Sequence, residues 1–155
     1  MLVRLLVLLF LFVGIGCKPL APPEISFNRN TFVVYTLWEG EAGGGTTSLT
    51  VYGDGSVVYV DKPMPTSTIN RNLKLDKEET VDFFRLLLDA DLFRMKNHIS
   101  MCCDIGGRVV SGMINSQPFS AACQFDCGDT WSLVSHFNPL LIRLHPERWD
   151  SRRTN

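Results

Sequence analysis

The sequence predicts an α+β domain: an antiparallel sheet, made of a β-meander and a second hairpin, with two helices packed on one face. Three observations lead to this prediction. Residues 31–60 carry short runs rich in β-branched and aromatic residues, separated by turn residues. Residues 76–90 then show apolar side chains at helical spacing. A second strand pair and a second helical stretch follow, and this order is typical of helices that cover one face of a sheet.

The meander is predicted from alternation and turn chemistry. Leu49 and Val51 alternate with hydroxyl-bearing residues, which indicates one buried and one wet face. Asp54-Gly55 is the residue pair of tight hairpin turns. Residues 39–45 (EGEAGGG) resemble a loop more than a phosphate cradle, because neither a Lys-Ser/Thr pair nor a helix follows them. The strands are predicted at residues 31–38, 46–52 and 56–60, with a short extra strand at 69–75.

Residue 76 is the predicted start of the first helix. Asp76 is a good N-cap, and Glu79 stands three residues further on, as in a capping box. Val81, Phe84 and Leu88 share one stripe, flanked by further apolar residues, so this helix is expected to lie on the sheet.

The second half of the domain repeats the pattern of strands followed by a helix. After a loop at residues 96–107, strands at 108–114 and 117–123 form a hairpin about Asn115-Ser116. Asp129 is the expected cap of a helix that contains Trp131, Val134 and Phe137. Pro139 interrupts this helix, and Asn138 is expected to cap a new turn that carries Leu140, Leu141 and Leu144.

The first 17 residues have the pattern of a secretory signal peptide. Arg4 gives a positively charged start, residues 5–15 (LLVLLFLFVGI) form an unbroken apolar run, and Gly16-Cys17 ends it. The run is short for a transmembrane helix, which needs about 20 apolar residues. We therefore expect an exported protein; a retained single-pass anchor is an alternative.

Cys17 has two interpretations. Residues 13–17 (VGIGC) resemble a bacterial lipobox, in which Gly or Ala precedes the lipidated cysteine, although Gly14 stands where Leu is usual. In the first interpretation Cys17 carries fatty acids such as palmitate. The protein is then a lipoprotein of the bacterial cell envelope, anchored to a membrane and facing the periplasm or the cell surface. In the second, cleavage leaves a soluble secreted protein and Cys17 is incidental.

The rest of the chain is predicted to consist of a linker, one domain and a C-terminal tail. Residues 18–24 (KPLAPPE) resemble an extended tether because they are proline-rich and lack an apolar period. The net charge of −1 does not suggest nucleic acid as a partner. The basic C-terminus is interpreted as a solvated, partly frayed tail. The predicted organisation is a signal peptide at 1–17, a linker at 18–30, a single α+β domain at 31–146 and a basic tail at 147–155.

Cysteine usage predicts disulfides. If Cys17 is lipidated, four cysteines remain: Cys102, Cys103, Cys123 and Cys127. An even number in an exported domain predicts two disulfides. A bond between the adjacent Cys102 and Cys103 is strained, so cross-links from this pair to the second pair are favoured, with the connectivity left open.

The same cysteines allow two other hypotheses. Cys123 and Cys127 have a spacing that suits structural zinc, whereas the adjacent Cys102-Cys103 does not. A catalytic cysteine would need His98 or His136 with Asp104, and the spacing fixes no such geometry. The sequence contains no HExxH, G-x-S-x-G or Walker-lysine motif. We therefore predict no catalytic residue, metal or cofactor.

Four segments together resemble a known kind of protein. They are the Asp54-Gly55 hairpin, the helix start at residues 75–79 (LDKEE), residues 90–93 (ADLF) and the cysteine loop. Over about residues 30–145 they resemble an uncharacterised family of small bacterial exported or lipoprotein domains of unknown function. The resemblance implies a compact exported domain and supplies no catalytic residues.

The functional prediction follows from export and from the absence of a chemistry motif. We expect an exported, lipid-anchored envelope domain with a non-enzymatic structural or protein-interaction role, which uses its sheet or an edge strand for contact. The expected partners are a membrane, through the N-terminal anchor, and an envelope protein; no small-molecule ligand is identified. The alternatives are a cysteine-based redox or zinc-binding module, and an enzyme that brings His98 or His136 near a carboxylate.

Overall fold

The structure is a computed structural model. It describes residues 28–40, 44–95, 106–124 and 133–149. The strands are β1 (Phe32–Glu39), β2 (Gly45–Tyr52), β3 (Ser56–Pro63), β4 (Ile69–Lys74), β5 (Gly107–Ile114) and β6 (Gln117–Cys123). The helices are α1 (Lys77–Asp89), α2 (Asn138–Leu144) and α3 (Pro146–Trp149), with a 3-10 turn at Leu92–Arg94 and further helical residues at 133–135.

The six strands form one antiparallel sheet in the order β4-β3-β2-β1-β5-β6. Strand β1 lies inside the sheet because it pairs with β2 on one side and β5 on the other. Its apolar and aromatic residues alternate in burial: Val33, Tyr35 and Leu37 are buried, and the residues between them are half-exposed. The predicted α+β class, with a meander and a second hairpin, is confirmed.

The β2–β3 and β5–β6 hairpins are closed by the turn residues that the sequence predicts. Gly55 has φ +84°, and a Cβ at this position would lie 2.6 Å from the carbonyl oxygen of Leu75. Asp54 Oδ1 accepts a hydrogen bond of 2.8 Å from the Ser56 amide, and this bond lowers the pKa of the Asp54 carboxyl. Asn115 and Ser116 both have positive φ, which is the backbone of a tight two-residue hairpin turn.

The start of α1 is the predicted capping box. The Glu79 amide donates to Asp76 Oδ1 at 2.8 Å, and the Asp76 amide donates to Glu79 Oε2 at 3.1 Å. The buried stripe of α1 is centred on Phe84 and Leu87, whereas Val81 and Leu88, predicted on the main stripe, are only half-buried.

The C-terminal segment differs from the prediction in two respects. Helix α2 is capped by the backbone of Phe137 with no side-chain hydrogen bond, so Asn138 is its first residue and not its cap. The predicted buried leucines of α2 are confirmed. Residues Arg148 and Trp149 of α3 pack against the domain, where the basic composition predicted a solvated tail beginning at residue 147. The fold therefore extends at least through Trp149.

The core lies on one face of the sheet, beneath the helices. Tyr35 stacks on Phe137 with ring centroids 5.2 Å apart, and Phe83 meets Phe137 edge-on at 5.4 Å. The core cluster joins alternate residues of the strands to apolar residues of α1 and α2. It includes none of the residues on the opposite side of the strands, such as Val34, Val58 and Val109. We call this second side the open face.

Several sequence predictions concern residues outside the described ranges. They include the signal peptide, the linker up to residue 27, the loop at 96–105, Cys127, Asp129 and Trp131, and the tail at 150–155. Among the helices within the described ranges, none has the length and apolarity that crossing a membrane requires.

Candidate functional site

At one end of the sheet, a row of the core face carries polar side chains on both sides of the apolar Leu37. In the strand register Asp61 lies opposite Thr47, Thr47 opposite Leu37, Leu37 opposite Arg108, and Arg108 opposite Cys123. The next row inward is apolar or aromatic over its central strands, with Tyr59, Leu49, Tyr35 and Val110. Within one step of the pleat, the core face therefore gains the polar side chains of Asp61, Thr47 and Arg108, while Leu37 between them stays in the core.

Asp61 is the most deeply buried charged side chain of this row, with 1% of its surface exposed. Thr47 Oγ1 donates to Asp61 Oδ1 at 2.9 Å, and Arg148 Nη1 donates to Asp61 Oδ2. A buried carboxylate is tolerated only when it is paired and hydrogen-bonded, and here both of its oxygens have a donor.

Arg148 connects two carboxylates that lie on different strands. Its Nη2 donates to Glu39 Oε1 at 2.8 Å, while Nη1 binds Asp61. The Arg148 side chain is 15% exposed, and that of Glu39 is 34% exposed. The planar guanidinium suits this two-way contact better than a lysine ammonium, since its donors are held in a fixed fork. It fastens α3 to the ends of β1 and β3.

Tyr59 supplies a second contact between the sheet and α3. Its hydroxyl accepts a hydrogen bond of 3.3 Å from Trp149 Nε1 and lies 3.4 Å from His145 Nδ1. Burial raises the pKa of the Tyr59 phenol, and the hydrogen bond from Trp149 opposes this shift. His145 Nδ1 is 4.0 Å from Asp61 Oδ2, which is too long for a hydrogen bond, so these two groups do not form a His-Asp dyad.

Arg71 of β4 secures the junction between α2 and α3. Its Nη1 donates to the Leu144 carbonyl at 2.6 Å and its Nη2 to Glu147 Oε1 at 3.2 Å. The pKa of Glu147 is lowered by a hydrogen bond from its own backbone amide and then by Arg71. We call Asp61, Arg148, Glu39, Tyr59, His145, Trp149 and Arg71 the C-terminal latch.

A cavity of about 340 Å³ adjoins the latch where β1 ends and β5 begins. Glu39 belongs to both, because it binds Arg148 and also lines the cavity. The remaining lining comes from Leu37, Trp38, Gly40, Gly106, Gly107, Arg108 and Gln124. We call this space the β1–β5 cavity. Its walls hold one acid, one base, one amide and one indole.

The structure places few of the site residues that the sequence singles out. Cys123 is buried at the end of β6 and is disulfide-bonded. Cys17, Cys102, Cys103 and Cys127 lie outside the described ranges, so lipidation, disulfide pairing and the zinc hypothesis stay predictions. His98 and Asp104 also lie outside them, and His136 is half-exposed after the helical residues 133–135.

Sequence reasoning missed the latch. The alternation of side chains along β3 could have indicated it. Val57, Tyr59 and Asp61 are spaced by two, so they point to the same face of the strand. If β3 continues past residue 60, Asp61 therefore occupies a core-facing position. In the part of the chain that the structure describes, His145 approaches a carboxylate, and the sequence analysis did not single it out as a site residue. Across the described parts of the chain, no three His, Cys, Asp or Glu residues are grouped as metal ligands.

Comparison with known proteins adds no assignment. No protein-family model matches the sequence, and no curated protein is significantly similar to it. The resemblance to small exported envelope domains therefore stays a prediction, and function has to be argued from the fold and its surfaces.

Proposed function

We propose that the protein is an exported, lipid-anchored domain of the bacterial envelope, without catalytic activity, that binds another protein through the open face of its sheet. The observation that carries this proposal is the set of half-buried apolar residues on that face. They stand outside the core cluster that the helices cover. Apolar side chains outside the core give a sheet face a surface that a partner protein can bury.

The open face has a mixed composition. Register places Val34, Thr50 and Val58 in one row, and Thr36, Ser48 and Val60 in the next. Apolar and hydroxyl-bearing side chains are thus mixed across three strands. Interfaces of non-obligate complexes have this composition, because a wholly apolar face would not be tolerated before binding.

The charged residues on the open face indicate which charge the partner surface carries. The side chains on the open face of the six strands include no aspartate or glutamate, whereas Lys62 projects at one end of the face and is exposed. Lys74, at the other end, is already held by Asp54 at 3.8 Å. The partner surface is therefore proposed to carry both apolar and hydrogen-bonding groups, with an acidic margin that faces Lys62.

The edges of the sheet suit a partner less well than its face. Edge strand β4 carries the exposed polar residues Asn70 and Asn72, and its Arg71 is occupied by the latch. Edge strand β6 contains Pro118, which cannot donate a backbone hydrogen bond. Both features are typical of edges that resist pairing with a further strand.

The latch supports a structural role over a catalytic one. Both oxygens of Asp61 are occupied by donors from the protein, and His145 lies outside hydrogen-bond reach of this carboxylate. A general base needs direct reach to the group it activates. The latch instead holds α3 against the sheet.

Photo-crosslinking in the native envelope tests the interaction. A benzophenone side chain at Val58 is expected to give one discrete adduct with another protein, and the same group at Val81, a half-buried valine of α1, is expected to give none. The charge reversal Lys62→Glu should reduce the Val58 adduct, and the crosslinked partner peptide should border acidic residues. No adduct from Val58, or an adduct only between two copies of this chain, would contradict the proposal.

Intact mass of the protein from a membrane fraction tests the anchor separately. The expected mass corresponds to a chain that begins at Cys17 and carries acyl groups. Substitution Cys17→Ala should abolish the acylated species. A mature chain that begins beyond residue 17 would contradict lipid anchoring and leave the interaction proposal standing.

A further inference from the structure

The open face carries a row of large apolar side chains at the end where β1 begins. Tyr52 of β2 lies opposite Phe32 of β1. On the other side of β1, Met113 of β5 lies opposite Phe32, and Pro118 of β6 lies opposite Met113. The row crosses four neighbouring strands, which is about 14 Å of sheet. We call these four residues the apolar row.

The apolar row lies apart from the core of the domain. Within the described residues, neither the core cluster nor the partly buried side chains packed against it include any of the four. Pro118 is exposed, and Phe32, Tyr52 and Met113 are half-buried. The rings of Phe32 and Tyr52 contact each other with centroids 6.3 Å apart, which orders them before a partner binds. Aromatic side chains and methionine are enriched in protein interfaces, so this row suits an apolar contact with a partner.

The basic side chains beside the apolar row are directed to a carboxylate of the domain itself. Arg29 lies over the Tyr52 ring, 5.3 Å from its centroid, and pairs with Asp54 at 3.3 Å. Lys74 of β4 lies 3.8 Å from the same carboxylate. The contact that this end of the open face offers a partner is therefore mainly apolar.

The opposite end of the open face has a different chemistry. The row there places Lys62, Thr46 and Trp38 on three neighbouring strands. Lys62 and Thr46 are exposed, and the Trp38 indole lies against the backbone of Gly107. Six residues separate Phe32 from Trp38 along β1, a distance of about 20 Å. The two ends of the face therefore offer a wide apolar contact and a cationic contact about 20 Å apart.

Charge argues against a second copy of this chain as the occupant of the open face. Two open faces packed together would bring Lys62 against a surface on which the six described strands place no aspartate or glutamate. Its ammonium group would then lose water without gaining a carboxylate, and burial of an unpaired charge is strongly unfavourable. A different protein with an acidic group at this position avoids that loss.

We infer that the open face binds its protein partner in one orientation, with an apolar cluster of the partner on the apolar row and an acidic group of the partner at Lys62. This inference rests on the proposed function, because it takes a protein as the ligand of the open face. The apolar row supplies most of the binding energy, since a few large side chains carry most of the energy of an interface. Lys62 selects the orientation, because reversal of the partner would place its apolar cluster on a cation.

Matched variants of β5 test the role of the apolar row. The probe is the adduct that benzophenone at Val58 forms with the partner in the native envelope. Met113→Gln keeps the length of the side chain but makes it polar, and should lower the yield of this adduct about 10-fold, as expected for a hot-spot residue. Val109→Thr is the control, because Val109 lies on the same face of the same strand but outside the apolar row. It should change the yield less than about 2-fold, and circular dichroism should show both variants folded.

The sites of crosslinking on the partner test the orientation. Benzophenone at Met113 should attach to a partner peptide rich in apolar residues. Benzophenone at Thr46, which lies opposite Lys62 in the strand register, should attach to a second peptide that borders aspartate or glutamate. The two attachment sites should lie about 20 Å apart in the structure of the partner.

Two outcomes would overturn this inference and leave the proposed function standing. One is a Val58 adduct whose yield a folded Met113→Gln variant leaves unchanged, since the apolar row would then supply little binding energy. The other is attachment of the Met113 label next to acidic residues and of the Thr46 label within the apolar peptide, which would reverse the orientation. The absence of any Val58 adduct would contradict the proposed function, and this inference with it.

Discussion

Removal of the Arg148 guanidinium tests whether the C-terminal latch stabilises the fold. In Arg148→Met the apolar stem remains, and the two ion pairs to Asp61 and Glu39 are lost. Asp61, only 1% exposed, then keeps a single donor, the hydroxyl of Thr47 at 2.9 Å. The variant therefore leaves a buried carboxylate without its compensating charge.

The expected loss follows from the burial of the pair. Breaking a buried ion pair by removing one partner typically costs about 3–5 kcal/mol. Arg148 is 15% exposed and Glu39 34%, so solvent already screens part of the network, and we expect the lower end, about 3 kcal/mol. Arg143→Met is the matched control, because Arg143 also binds a carboxylate, Glu79, at 2.8 Å, but with both side chains more than 40% exposed. Its loss should be below about 1 kcal/mol.

Urea unfolding followed by far-ultraviolet circular dichroism measures both losses. With an m-value of about 2 kcal/mol per molar urea, the midpoint should fall by about 1.5 M in Arg148→Met and by less than about 0.5 M in Arg143→Met. The double variant Asp61→Asn with Arg148→Met removes both charges and should recover part of the loss. Equal midpoints for the two arginine variants would refute the reasoning, as would a double variant whose loss equals the sum of the single losses.

Three further predictions concern single features. Gly107→Ala should destabilise the protein by about 1–3 kcal/mol and shift its tryptophan emission, because the new methyl group displaces the indole of Trp38; unchanged emission would contradict that placement. Asp76→Ala should cost about 0.5–2 kcal/mol by urea unfolding through loss of the capping box, whereas Asp89→Ala at the other end of α1 should cost nothing or stabilise slightly. The raised pKa of Tyr59 means that its stabilising contribution is complete below pH 10 and is lost as pH rises through the folded-state pKa. Absorbance at alkaline pH should therefore show a late tyrosine component that Tyr59→Phe reduces, and an unchanged component would refute the assignment.

Local sequence patterns predicted most of the fold because most of its elements are closed by local chemistry. The Asp54-Gly55 turn, the Asp76–Glu79 capping box and the alternation in β1 each involve residues a few positions apart. Strand β3 was predicted to end at residue 60 but continues to Pro63. Proline has no amide donor, and this is tolerated at the last position of a strand. The next amide, that of Met64, donates to the Gly44 carbonyl at 2.7 Å.

The latch and the cavity could not be predicted in the same way because they depend on distant pairings. Arg148 and Asp61 are 87 positions apart, and no local pattern shows that they meet. A basic C-terminus normally predicts a solvated segment, and only the packing of α3 shows that one of its arginines is mostly buried. The cavity requires the register of β1 with β5, which brings Trp38 opposite Gly107.

The direction of β1 determines the end of the domain at which an N-terminal anchor would attach. The strand begins at Phe32, beside the hairpin turns at residues 53–55 and 115–116, and runs for eight residues, about 26 Å, to Glu39 at the cavity. Residues 18–27 could extend at most about 35 Å from a lipidated Cys17. An anchor at Cys17 would therefore join the domain beside these turns, at the end of β1 opposite the one where Glu39 meets Arg148.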